Sequence, residues 1–129
     1  AYIGAVVPQV IESCDELNRR SPGSTAVLAI TSADRLRRGW IQAQRVRRRG
    51  SRTCRAQIEK LLSAIGSSVR IVTITDGHPS VLTWLGAVAG HRVCGLGVDR
   101  YGESGTLTEL YQAYRLDAQS ILSASLDSS

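Results

Sequence analysis

Methionine and phenylalanine are absent from this 129-residue chain, and lysine occurs once, against fifteen arginines. A translation product opens on methionine, so the chain reads as a processed or cut piece of a larger protein. No apolar run approaches the roughly 18–20 residues of a membrane span, and no signal peptide is visible. A membrane protein is therefore not expected, and a cytoplasmic location is. Cysteine is scarce: Cys14, Cys54 and Cys94 are odd in number and widely spaced. Without a Cys-x-x-Cys pair, a zinc knuckle or dithiol redox site is excluded from expectation, and reduced thiols are predicted.

What is present is ordinary for a globular domain. Hydrophobic residues make up 43% and charged residues 21%, which argues against a disordered chain. The length suits one domain over residues 1–129. The net charge of +5 is unevenly placed. Nine arginines fall between Arg35 and Arg55, and the first acid after Asp34 is Glu59.

Strands and helices alternate along the chain. Tyr2–Val7 is β-prone, Pro8 suits a first helical turn, and Val10, Ile11, Cys14 and Leu17 recur at helical spacing to Arg20. Ser21-Pro22-Gly23-Ser24 breaks that helix. Ala26–Ile30 is a continuous apolar run, the pattern of a strand covered on both faces. Ser32 is placed to cap a helix over 33–49, and a second amphipathic helix is expected over Cys54–Ile65. Val69–Thr75 is the strongest strand signal. Asp76-Gly77 then turns the chain, His78 stands as a cap, and Pro79 opens a helix to Ala89 that Gly90 ends. Arg92–Val98 is the next strand, where Gly95 and Gly97 predict close backbone approach by another element. Thr106 and Glu109 form a capping box for helix 107–114, and Asp117 starts a last helix with Ala118, Ile121 and Leu122. The serine-rich end, from Ser123, is expected to fray. The alternation predicts an α/β sandwich on a largely parallel sheet.

Few residues offer chemistry. Asp76, Gly77 and His78 lie at the carboxyl end of a probable central strand, where open α/β sheets bind ligands. His78 can carry a proton or donate a hydrogen bond near neutral pH; the plainer alternative is that it caps a helix while Asp76 makes the turn. His91, beside Gly90, reads as a surface or capping residue. A metal site lacks a third ligand after Asp76 and His78, so none is expected. Ser80 is near His78 but sits in no nucleophile elbow, and Gly95-Leu96-Gly97 lacks the third glycine of a dinucleotide fingerprint. The arginine-rich stretch reads first as a solvated helix face. Partner docking through Arg47, Arg48 and Arg49 is the alternative, and nucleic acid is disfavoured because the one aromatic, Trp40, falls on the apolar side.

The segment TDGHPSVLTWLGAVAGHRVCGLGVDRYGESGTLTELYQAYRLDAQSI resembles the C-terminal domain of the transketolase family. The nearest likeness is to the homodimeric, thiamine-dependent pyruvate dehydrogenase component. Leu96-Gly97-Val98-Asp99-Arg100-Tyr101-Gly102-Glu103-Ser104-Gly105 is similar to the family's strand, aromatic-Gly-x-Ser loop and helix. Gly4-Ala5-Val6-Val7-Pro8 with Val27–Ser32 resembles the domain's opening strand–helix–strand.

The resemblance implies a three-layer α/β/α sandwich on a mixed, mostly parallel sheet of about five strands, four of which are legible above. It implies a domain that supports a homodimer and helps wall a substrate channel, with Asp76, Gly77 and His78 nearest the channel and no catalytic residue of its own. Thiamine diphosphate and magnesium would be held by other domains of the parent, an oxidoreductase or transferase. Partners would be those domains, a second copy and an acyltransferase subunit. The alternative is an α/β binding module that docks an acidic partner or nucleic acid through the arginine-rich segment.

Overall fold

The structure, a computed structural model, describes residues 1–127. In chain order it contains β1 (Tyr2–Ile3), α1 (Val7–Arg20), α2 (Ala33–Arg48), α3 (Gln57–Ser63), β2 (Ile71–Thr75), α4 (Ser80–Thr83), α5 (Gly86–Ala89), β3 (Val93–Leu96), α6 (Leu107–Ala113) and α7 (Ala118–Leu126). The strands form one parallel sheet in the order β1-β2-β3, with Ile71 opposite Val93 and Tyr2 opposite Ile74. Among the described residues, no helix is long and apolar enough to cross a membrane.

Alternation along β2 divides the core between the two faces of the sheet. Ile71 joins Ile30, Ile58, Leu62, Leu82 and Leu85 beneath α2–α5. Ile74 joins Val6, Val10, Leu116 and Ile121 on the other face, with α1 and α7. β2 is thus covered on both sides, which is why its sequence is apolar without strict alternation.

Four expected elements come out differently. Tyr2–Val7 pairs only over Tyr2–Ile3, because Gly4 turns the chain at φ +92°. That leaves Ala26–Ile30 almost nothing to pair with. It makes a single parallel bridge, Ala29 opposite Tyr2, supported by Tyr2 N–H to Leu28 O at 2.9 Å and Ile30 N–H to Tyr2 O at 2.8 Å. Among the described residues its outer side has no strand, and Val27 is 52% exposed, so the run is an open edge rather than a strand buried on both faces. The described sheet therefore has three strands and this bridge, not five.

The helix expected over 79–89 is two short pieces, α4 and α5. The junction carries i→i−3 bonds, from Leu85 N–H to Leu82 O and from Val88 N–H to Leu85 O. A tighter turn aligns every third residue. It stacks Leu82 and Leu85, both fully buried, with Val88 along one line toward the core. Trp84, between them, lies on Trp40 of α2 with ring centroids 5.5 Å apart. The helix expected from Cys54 starts instead at Gln57. Arg47 Nη1 donates to Cys54 O at 2.6 Å and Glu59 takes the Ala56 N–H at 2.7 Å, and Ala56 is extended (ψ 157°).

Helix caps follow the sequence more closely. Ser32 Oγ accepts from Arg35 N–H, and Thr106 and Glu109 satisfy each other's amides at 2.8 and 3.3 Å.

Gly95 and Gly97 point from β3 toward the start of α4. A Cβ on Gly97 would stand 2.5 Å from Gly77 O and 2.8 Å from Pro79 N, and one on Gly95 would be 3.2 Å from Pro79 O. Close approach is the reason for both glycines, and Val98 N–H closes the contact on Gly77 O at 2.8 Å. Gly39, inside α2, has open space around it. Urea denaturation should therefore show Gly97→Ala destabilising the fold by about 2 kcal/mol. Gly39→Ala should stabilise it by roughly 0.5–1 kcal/mol. Equal effects of the two substitutions would refute the close-approach reading.

Candidate functional site

The carboxyl ends of β1, β2 and β3 bring residues 4–5, 76–80 and 97–98 together. Asp76 follows β2 and reaches across to the turn after β1, where its Oδ2 accepts the Ala5 N–H at 3.0 Å. Gly4 makes room for it: a Cβ there would stand 2.1 Å from Asp76 Oδ1. The carboxylate thus satisfies an amide just ahead of α1. Gly77 N–H is held by Thr75 Oγ1 at 3.0 Å, which completes the turn.

His78 is exposed at the rim. Its Nδ1 accepts the Ser80 N–H at 3.2 Å and lies 2.7 Å from Ser80 Oγ. A backbone amide can only donate, so Nδ1 carries the lone pair, and in the neutral ring Nε2 carries the proton. His78 therefore holds the Ser80 amide with one nitrogen and can donate from the other at the sheet's carboxyl edge. The cap expected at His78 falls instead on Pro79, which is already helical, and α4 begins at Ser80. Ser80 and His78 form a close pair, but Asp76 is turned toward Ala5 and does not extend it into a triad. Among the described residues, no three His, Cys, Asp or Glu side chains are grouped to hold a metal.

His91 is a correction. Expected as a surface or capping residue, it is buried, because its ring turns in against the end of α3 and the entry to β2 while Gly90 and Arg92 stay exposed. Nδ1 is 3.0 Å from Val69 O and Nε2 is 3.4 Å from Leu62 O. It ties the end of α3 to the entry of β2, a structural role with no open side for a ligand.

The arginine-rich segment divides in two. Arg47 faces inward and makes a two-pronged ion pair with Glu59, Nη2 to Oε1 at 2.5 Å and Nη1 to Oε2 at 2.9 Å. Arg48 and Arg49 are exposed, as are Arg35, Arg37, Arg38, Arg45, Arg52 and Arg55. Of these, Arg38 pairs with Asp34. Positions 38, 45 and 49 share one side of α2 at helical spacing and form its outward stripe. Glu59 was not singled out by sequence, although its position three residues after Ala56 is the spacing of a residue that reaches back to cap a helix.

No protein-family model, curated protein or solved structure matches the chain.

The guanidinium of Arg47 holds the Glu59 carboxyl below the usual carboxylate range, with the Ala56 amide adding to it. A carboxyl lowered in the folded state stabilises the fold fully above the ordinary glutamate value of 4.5 and loses that contribution as pH falls through the folded value. Glu16 and Glu109 are lowered as well, by Arg20 and by the Thr106 amide. Glu59→Gln should therefore show a smaller loss of stability on acidification below pH 4.5 than the parent chain, measured by urea midpoints across pH. An unchanged acid limb would remove Glu59 from the acid dependence.

Proposed function

We propose that this chain acts as the C-terminal domain of a thiamine-diphosphate-dependent enzyme of the pyruvate dehydrogenase or transketolase type. In that role it supports a homodimer and walls a substrate channel, and it leaves the cofactor and its magnesium to other domains. The observation that carries this reading is the seating of β3 and its following loop on the 77–79 turn. The residues of the family-like segment, Leu96-Gly97-Val98 and Asp76-Gly77-His78, meet there through one backbone hydrogen bond, Val98 N–H to Gly77 O at 2.8 Å. The open edge along 26–30 also leaves room for a further strand of the mixed five-stranded sheet that the resemblance implies.

In this reading Asp76 and Gly77 shape the wall, and His78 presents Nε2–H toward the channel as a hydrogen-bond donor. None of them forms or breaks a bond. Calorimetric titration of the purified chain with thiamine diphosphate and magnesium should give no tight binding. Micromolar binding would overturn the reading, because the cofactor would then belong to this domain.

The exposed arginines of α2 favour a second reading, a module that docks an acidic partner such as the acyltransferase subunit of a dehydrogenase complex. It rests on Arg48 and Arg49 rather than Arg47, whose guanidinium is engaged by Glu59. Reversing Arg48 and Arg49 to glutamate should weaken capture of that subunit at low salt, with little change at high salt. Equal capture by the reversed chain would eliminate it.

A further inference from the structure

A cleft of about 760 Å³ runs along β3, from Arg92 just before it to Leu96 at its end, and reaches Arg70 just before β2. Arg70, just before β2, Arg92, just before β3, and Arg115, between α6 and α7, all line it. Val93, Cys94 and Leu96 give it an apolar wall, and among the described residues Asp127 is the one side-chain carboxylate in the lining. Arg70 also reaches Ala124 O of α7 at 3.5 Å. Arginines from three separate segments thus line one cavity of small-molecule size.

Arg115 supplies an independent observation. It stands at φ +57°, the only residue other than glycine at positive φ among those described. The position is the left-handed end of a Schellman motif. Arg115 N–H bonds to Gln112 O at 3.2 Å and Leu116 N–H to Tyr111 O at 2.7 Å, with Leu116 and Tyr111 in one apolar cluster. Glycine fills that place at least cost, and this chain uses glycine at Gly4, Gly23, Gly50, Gly90 and Gly102. An arginine there is unfavourable by about tenfold in the local equilibrium. Such residues persist where a function needs the side chain, and this one lines the cleft.

We propose that the cleft binds the phosphate ester of a small organic molecule, held through Arg92 and Arg115. The charge matches: Arg92 and Arg115 together carry two positive charges, which suit a phosphate monoester of charge about −2 rather than a monocarboxylate. The apolar side of β3 accommodates the organic body. This site stands whether or not the domain belongs to a thiamine-dependent enzyme.

The test uses phenyl phosphate, inorganic phosphate and benzoate at equal ionic strength, followed by amide shifts and calorimetry on the full chain. Phenyl phosphate should bind saturably at one site and shift the amides of Arg92, Cys94 and Arg115. Benzoate should bind at least about tenfold more weakly. Arg92→Ala and Arg115→Gly should each weaken phenyl phosphate about tenfold or more. Arg115→Gly should also raise the melting temperature by about 3 °C, since it relieves the left-handed backbone. A triple reversal of Arg45, Arg48 and Arg49 on α2 should leave binding within about twofold, because that face is elsewhere.

No saturable binding, equal affinity for benzoate, or loss of binding only in the α2 variant would each overturn the site. So would an Arg115→Gly chain that binds as before. A fall in its melting temperature would show that the arginine is kept for stability, and would overturn the argument from strain.

Discussion

The arrangement at the carboxyl edge rests on one close backbone approach, between Gly97 of the strand end and the turn at Gly77–Pro79. The hydrogen bond from Val98 N–H to Gly77 O fixes that distance, and the missing side chain at Gly97 permits it. From this contact follow the direction of α4, the burial of Leu82 and Leu85, and the outward position of His78. A similar device works one strand away. Gly4 admits the Asp76 carboxylate, which anchors the chain just before α1. Two glycines and one acid thus position three strand ends and the helices that leave them.

Much of this was legible in the sequence, for identifiable reasons. β2 was plain because its five residues, Ile71 to Thr75, are all β-branched, the composition that suits a strand covered on both sides. Ser32, Thr106 and Glu109 were plain because capping depends on local spacing alone. Gly95 and Gly97 announced a close approach, though not what approaches. The elements that differed depend on distant partners. Ala26–Ile30 has strand composition, but pairing needs a neighbour, and Gly4 cuts that neighbour short. The split of 79–89 comes from packing against β3, where Gly86 stands within 2.8 Å of His91 O by its absent Cβ. His91 is a similar case. Its burial is decided by carbonyls of Leu62 and Val69, distant in sequence, and no local pattern encodes that.

Of the candidate site, Asp76 and Gly77 were rightly placed at a strand end, but their partners, Ala5 and Val98, were not foreseeable. Arg47 and Arg48 show the limit of reading charge by composition. They are adjacent and chemically identical, yet one is locked to Glu59 and the other faces water. A turn of about 100° around the helix separates an internal strut from a surface charge.

The stack of Trp40 on Trp84 has an optical consequence. These are the only two tryptophans in the chain, and both lie on the face of the sheet covered by α2–α5. Three of the four tyrosines, Tyr2, Tyr111 and Tyr114, pack on the opposite face. Indole emission therefore reports on one layer of the molecule and phenol absorption mainly on the other. The two chromophores divide the protein along its sheet, so its layers carry separate built-in spectroscopic labels.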